Sequence, residues 1–188
     1  TILVLDFGSQ YTQLIARRVR ESNVYSEILP WDIDEKKIQS INPKGIILSG
    51  GPDSVTDSYT PRIPQIIFDL NVPILGICYG MQTLAEQFGG QVVSSEFKEF
   101  GYSELKVKTD CVLFSNLDKT LNVWMSHGDQ VQDLPDNFDL VAASTSAPIA
   151  AMQHSTKPKR ALRKAQTQRR NHRNQPSVRV LEFPECRR

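Results

Sequence analysis

The chain has 188 residues, 39% hydrophobic and 23% charged, with 22 Lys and Arg against 21 Asp and Glu for a net charge of +1. These values are ordinary for one globular domain with a real core. They leave no room for a membrane span, since no apolar run approaches ~18 residues, and the N-terminus lacks the basic and apolar pattern of a signal peptide. The three cysteines, Cys78, Cys111 and Cys186, show no framework of spacings, which points to thiols in a reducing compartment, the cytoplasm.

"ILVLDFG" (2–8) is an apolar run closing on glycine, the pattern of a buried parallel strand. "QYTQLIARRVRES" (10–22) sets Tyr11, Leu14, Ile15 and Val19 at helical spacing, so a helix follows at once. "YSEILPW" (25–31) reads as a second strand and "DEKKIQSI" (34–41) as a short helix capped by Asp32 or Asp34. "GIILSGG" (45–51) is a third buried strand running into glycines, and "PQIIFDL" (64–70) a helix. "PILGI" (73–77) is the fourth strand, and "YGMQTLAEQFGG" (79–90) a helix closed by Gly89-Gly90. Strands alternating with helices predict an α/β fold, a doubly wound and mostly parallel sheet flanked by helices.

After Gly90 the pattern changes. "QVVSS", "SELKVKT", "CVLFS", "NVWMSHG" and "FDLVAAST" read as shorter strands with turns between them, a small antiparallel extension of the parallel sheet. There is no internal repeat. From about residue 153 the periodicity stops. Residues 153–188 carry 11 Lys and Arg against Glu182 and Glu185, a net +9, which leaves 1–152 with 11 basic and 19 acidic residues, a net −8. The sequence thus divides into a domain over 1–152 and a basic segment over 153–188, read as a disordered or weakly helical tail. Its composition alone does not argue for nucleic-acid binding.

The sharpest local signal is "GICYG" (76–80), a Gly-x-nucleophile-x-Gly pattern at a strand-to-helix turn with cysteine as its centre. Such a turn lifts Cys78 above the carboxyl edge of the sheet, where ligands bind in open α/β folds. It also sets Cys78 at a helix N-terminus, which favours thiolate. The bland alternative is a core cysteine beside a packing glycine. "SGGPDS" (49–54) has the spelling of the loop with which ATP pyrophosphatases hold pyrophosphate. However, Pro52 removes a donor from the middle of any amide nest, and the turn follows the third strand rather than the first. In a doubly wound sheet the Gly50-Gly51 turn lies beside the fourth strand. Its amides, together with the amide of Tyr79, then suit an oxyanion developing at Cys78.

With "SGGP" after one strand and "GICYGMQ" after the next, the chain resembles the class I (triad) glutamine amidotransferases. "LDFGSQYTQLIARRVRE" and "VWMSHGDQV" (123–131) are similar to the amidotransferase domain of glutamine-hydrolysing GMP synthases, and the resemblance runs from Ile2 to about Met152, roughly four-fifths of the chain. It implies the flavodoxin-like fold of that family and a glutaminase. Cys78 attacks the side-chain amide of glutamine, ammonia leaves, and a γ-glutamyl thioester is hydrolysed. Gly51 and Tyr79 form the oxyanion hole. Gly50, Gln82, Ser126, His127 and Gly128 bind substrate; that stretch acts largely through backbone in the family, so His127 is not read as the catalytic base. The domain itself is implied to hold no metal or cofactor. ATP and Mg belong to an ATP-pyrophosphatase domain that converts XMP to GMP with the ammonia, as a separate subunit or a lost C-terminal fusion.

The chain departs from the family at about residue 157. The His-Pro-Glu motif that completes the triad is absent; "LEFPE" (181–185) echoes it without the histidine. His172 and Glu185 are weak surrogates. An abrupt switch to a basic, unpatterned sequence is what a shifted reading frame produces, and 157–188 is read that way. Two other readings follow: an amidotransferase-like binding or regulatory module without a working triad, and another elbow-cysteine enzyme, which "WMSHGD" and "DFGSQYTQ" oppose. Loss of the triad strand is expected to leave a sheet edge uncovered.

Overall fold

The computed structural model describes residues 1–155 and 178–181. The first half alternates as the apolar periodicity demands. Strands β1 (Ile2–Asp6), β2 (Ser26–Pro30), β3 (Gly45–Leu48) and β4 (Ile74–Gly76) are joined by helices α1 (Thr12–Glu21), α2 (Glu35–Ile41) and α3 (Gln65–Asp69), and α4 (Tyr79–Gln87) follows β4. Leu3, Val4 and Leu5 have no exposed surface, as a strand covered on both faces requires. Helix α1 turns Thr12 and Ala16 inward and keeps Arg17, Arg18 and Glu21 paired on its wet face. Of the two candidate caps for α2 it is Asp34, whose carboxylate accepts from the Lys36 N–H at 2.7 Å.

The second half is β5 (Gln91–Val107), β6 (Thr120–Asp133), β7 (Phe138–Ala143), β8 (Ala151–His154) and β9 (Val178–Leu181). The nine strands among the described residues form one sheet in the order β2-β1-β3-β4-β9-β8-β7-β5-β6. The first five pair in parallel and the last five antiparallel. Winding direction reverses at β1. With right-handed crossovers this sets α1 on one face and α2 and α3 on the other, and opens a crevice at the carboxyl ends of β1 and β3.

Several expectations are corrected here. The antiparallel part is not small, since it holds nearly half of the strands of a continuous sheet. "QVVSS" and "SELKVKT" are one irregular strand, β5, with register shifts between Ser94 and Glu99. "CVLFS" is not a strand but a 3-10 turn over Val112–Phe114. Strand β8 crosses the boundary drawn at 152/153, and residues 178–181 of the basic segment form β9, between β4 and β8. The sheet position expected to be vacant is therefore filled. The remainder of the segment, 156–177 and 182–188, lies outside the described residues, and with it the frame-shift reading, His172 and Glu185.

The main core packs Leu3, Leu5, Ile46, Leu48 and Ile74 of the parallel strands against Ile38, Ile67, Met81 and Leu84 of the helices. A second cluster, with Leu105, Phe114, Met125 and Val141, fills the antiparallel end. Among the described residues no helix is long and apolar enough to cross a membrane.

Candidate active site

Strand β4 ends at Gly76, and two residues later Cys78 stands as the N-cap of α4 with φ 48° and ψ −111°. That is a strained backbone for any residue with a Cβ. The strain is held by a dense set of backbone bonds. The Gly80 N–H donates to Ile77 O at 2.9 Å and to Ser49 O at 3.0 Å, and the N–H groups of Met81 and Gln82 donate to Cys78 O. A Cβ at Gly76 would lie 2.7 Å from Gly80 O, and one at Gly80 would lie 2.5 Å from Leu48 O. The two glycines flanking the elbow are thus closed to any side chain. The structure adds a cause the spacing alone did not show: Gly80 is pressed against the end of β3.

That contact brings the turn after β3 to the cysteine. A Cβ on Gly50 would lie 3.6 Å from Cys78 Cβ and 3.5 Å from Ser9 Oγ, so Gly50 sits between the two. Gly51 is tighter, since a Cβ there would lie 2.7 Å from Phe7 O and 3.3 Å from the Tyr79 ring. Ser49 is wholly buried. Its hydroxyl accepts from the Phe7 N–H at 3.0 Å and donates to Gly50 O at 2.8 Å, the nearer of its two acceptors, with Asp6 Oδ1 at 3.5 Å. A hydroxyl committed in this way is not available to a pyrophosphate, which agrees with the reading of this turn as the cysteine's own. On the β1 side Asp6 Oδ1 accepts from the Gly8 N–H at 2.9 Å and from Thr12 Oγ1 at 2.7 Å. Ser49 entered the sequence reading only as the first residue of "SGGPDS", with no role of its own, and Asp6 and Thr12 were given none. The signal was there, in one polar residue at the end of each of two otherwise apolar runs.

Ser126, His127 and Gly128 lie within β6; Ser126 stands opposite Phe100 and His127 opposite Glu99 of β5, and Gly128 falls at the register shift. The side chain of His127 lies outside what is described. Gln82 connects this stretch to α4. It is 4% exposed, and its Nε2 donates to Asp129 O at 2.9 Å. Its amide therefore grips the strand that carries the other predicted substrate contacts.

A strap between β3 and α3 clamps the outer side of α4. Gln87 bonds both the N–H and the carbonyl of Ile63, Arg62 pairs with Glu86, and the Tyr79 hydroxyl donates to Pro61 O at 2.6 Å. Burial pushes the Tyr79 phenol above its ordinary range, against smaller opposing effects of Thr60 and Arg62. A cavity of about 460 Å³ lies instead at the antiparallel end, lined by Val107, Cys111, Phe114 and Leu117; none of the predicted site residues borders it. Among the described residues no cluster of metal-ligating side chains occurs.

The family model described as glutamine amidotransferase class-I matches residues 3–162. The chain is 54% identical over 156 residues to a glutamine-hydrolyzing GMP synthase of Vibrio cholerae, covering 83% of this chain and 30% of that protein. It is 55% identical over 166 residues to the same enzyme of Hahella chejuensis, covering 84% and 32%. It thus spans less than a third of the length of these relatives. Among solved structures, a Thermoplasma acidophilum protein described as a GMP synthase subunit superposes with TM-score 0.71 at 30% identity, covering 97% of this chain and 82% of that one. A glutamine amidotransferase of Thermotoga maritima superposes with TM-score 0.64 at 19% identity, covering 97% and 74%, a likeness of fold alone.

Proposed function

Because this chain belongs to the class-I glutamine amidotransferase family, we propose that it is the ammonia-producing portion of a GMP synthase. The observation that carries this reading is the strained Cys78 at the tip of α4, with the Gly50-Gly51 turn packed beside it. The thiolate attacks the side-chain amide carbon of glutamine. The pair of electrons displaced onto the oxygen meets the N–H groups of Gly51 and Tyr79, neither of which donates to an acceptor among the described residues. A preorganised donor of this kind contributes roughly 3–4 kcal/mol to the barrier. As the oxyanion collapses, the C–N bond breaks and the departing nitrogen takes a proton from water to leave as ammonia; water then hydrolyses the γ-glutamyl thioester, releasing glutamate and the Cys78 thiol.

Ser126, His127 and Gly128 hold the amino-acid end of glutamine, with Gly50 lining the pocket. Gln82 supports them by holding Asp129 and the strand it belongs to. The ammonia is delivered to an ATP-pyrophosphatase domain or subunit that aminates XMP, and ATP and Mg act there. The reading is of a cytoplasmic enzyme of purine biosynthesis.

One observation favours a second reading. The sequence has three histidines, and none stands in a His-Pro-Glu motif. Without a proton shuttle for the leaving ammonia, turnover is expected to be lower by about 100- to 10,000-fold. The chain then serves as a glutamine-binding module of the same ancestry. Ammonia release from glutamine, measured for the chain and for Cys78→Ala with and without a GMP synthetase domain, decides between them. Turnover that disappears in Cys78→Ala supports the enzyme. Absence of turnover with glutamine-protected alkylation of Cys78 supports the module. Alkylation indifferent to glutamine overturns both.

A further inference from the structure

The peptide between Gly50 and Gly51 is flanked by two residues without side chains, so little steric resistance opposes rotation of its plane. Its orientation nevertheless matters, because it carries one of the two donors assigned to the oxyanion. Its carbonyl accepts from Ser49 Oγ at 2.8 Å, and that oxygen is itself held by the Phe7 N–H at 3.0 Å. In a trans peptide the C=O and N–H point in opposite directions, and no peptide among the described residues is cis. A carbonyl pinned to the buried hydroxyl therefore turns the Gly51 N–H to the far side of the turn. There it meets no acceptor among the described residues.

Ser49 is well placed to act as an anchor. Its own N–H donates to Leu5 O and its carbonyl accepts from the Gly80 N–H, so it is fixed to β1 and to the first turn of α4 at once. The β1–α1 loop against which it braces is held in turn by Asp6, through the Gly8 N–H and Thr12 Oγ1.

Resting on the glutaminase reading, we propose that Ser49 is a positioning residue. Its hydroxyl locks the Gly50–Gly51 peptide with the Gly51 N–H facing the oxyanion formed at Cys78. The lock makes no contact with substrate, so its removal acts on the tetrahedral species and not on the thiol itself.

The test uses the full chain and L-glutamate γ-semialdehyde in its open form. Cys78 sulfur bonds to the aldehyde carbon, the carbonyl pair passes to the oxygen, and no group leaves; the thiohemiacetal oxygen occupies the oxyanion position. The readout is protection of Cys78 from iodoacetamide. In Ser49→Ala the half-protecting aldehyde concentration rises roughly 10- to 100-fold, on the scale of one lost oxyanion donor. Its alkylation rate without aldehyde stays within about twofold of wild type. Ser49→Thr, which keeps the hydroxyl, is protected like wild type. Equal protection of wild type and Ser49→Ala overturns the proposal, as does a Ser49→Thr variant that fails like Ser49→Ala. A wild-type chain that the aldehyde does not protect overturns the glutaminase reading first, and the proposal with it. Should Ser49→Ala fail to fold, Ser49→Cys, close in volume and a weak donor, is read on the same scale.

Discussion

Cys78 keeps a positive φ only because its neighbours leave it no other course. Gly76 and Gly80 cannot bear a Cβ, and Gly80 is bonded to both Ile77 and Ser49. The next residue, Tyr79, gives α4 its outer anchor. Its hydroxyl donates to Pro61 O, and burial raises the phenol's pKa above 10.0 in the folded state. The sign of the pH effect follows directly. Below the unfolded pKa both states are protonated and the contribution is complete. As pH rises beyond it, the unfolded chain ionises first and stability falls. Urea midpoints from about pH 8 to 11 are therefore expected to decline in wild type. The decline should be smaller in Tyr79→Phe, which loses a hydrogen bond of ~1 kcal/mol at every pH. Parallel declines in the two proteins would show that Tyr79 is not the group responsible.

At the scale of elements, the site is a meeting of β3, α4 and β6, and Gln82 is the side chain joining the last two. Replacing it with leucine leaves the buried Asp129 carbonyl without its partner. A loss of about 1–3 kcal/mol is expected, with weakened glutamine protection of Cys78 because strand 126–129 is no longer held. Chemical denaturation and the alkylation assay measure the two effects separately; a stability loss with protection unchanged would mean that the strand keeps its place unaided. The parts of this site legible in the sequence are those encoded by local rules. "GICYG" announced its elbow because only glycine tolerates such close backbone approach, and the βα periodicity placed α4 correctly. Gln82 was singled out, but its partner, forty-seven residues away, was not, because no local pattern encodes a contact at that separation. "CVLFS" misled for a related reason. Its apolar residues satisfy the second core through a 3-10 turn, with Phe114 buried and Val112 exposed, and a short apolar run does not distinguish that from a strand. Strand β8 passed unnoticed because "AMQH" lacks the β-branched residues that mark strands; its place comes from β7 and β9 on either side.

For the molecule as a whole, β9 is the join between the parallel and antiparallel halves. The sequence around it is basic and weakly patterned, and that composition concealed a strand whose position is set by its neighbours. Val180 pairs with Gly76 on one side and Met152 on the other, so the chain leaves β9 at the same carboxyl edge where β4 delivers Cys78. Without β9, β4 and β8 would each present an unpaired edge in the middle of the sheet. Proline at position 180 tests this, since it removes a ladder donor and does not fit a central strand. With hydrogen bonds worth ~1 kcal/mol each and ladders lost on both sides, a penalty on the order of 3–5 kcal/mol is expected in Val180→Pro. That is a large share of the roughly 5–15 kcal/mol available to an ordinary domain. The variant should melt far below wild type and scatter light on heating, and the iodoacetamide reactivity of Cys78 should lose its dependence on glutamine. A melting temperature equal to wild type would mean that the two halves hold together without β9.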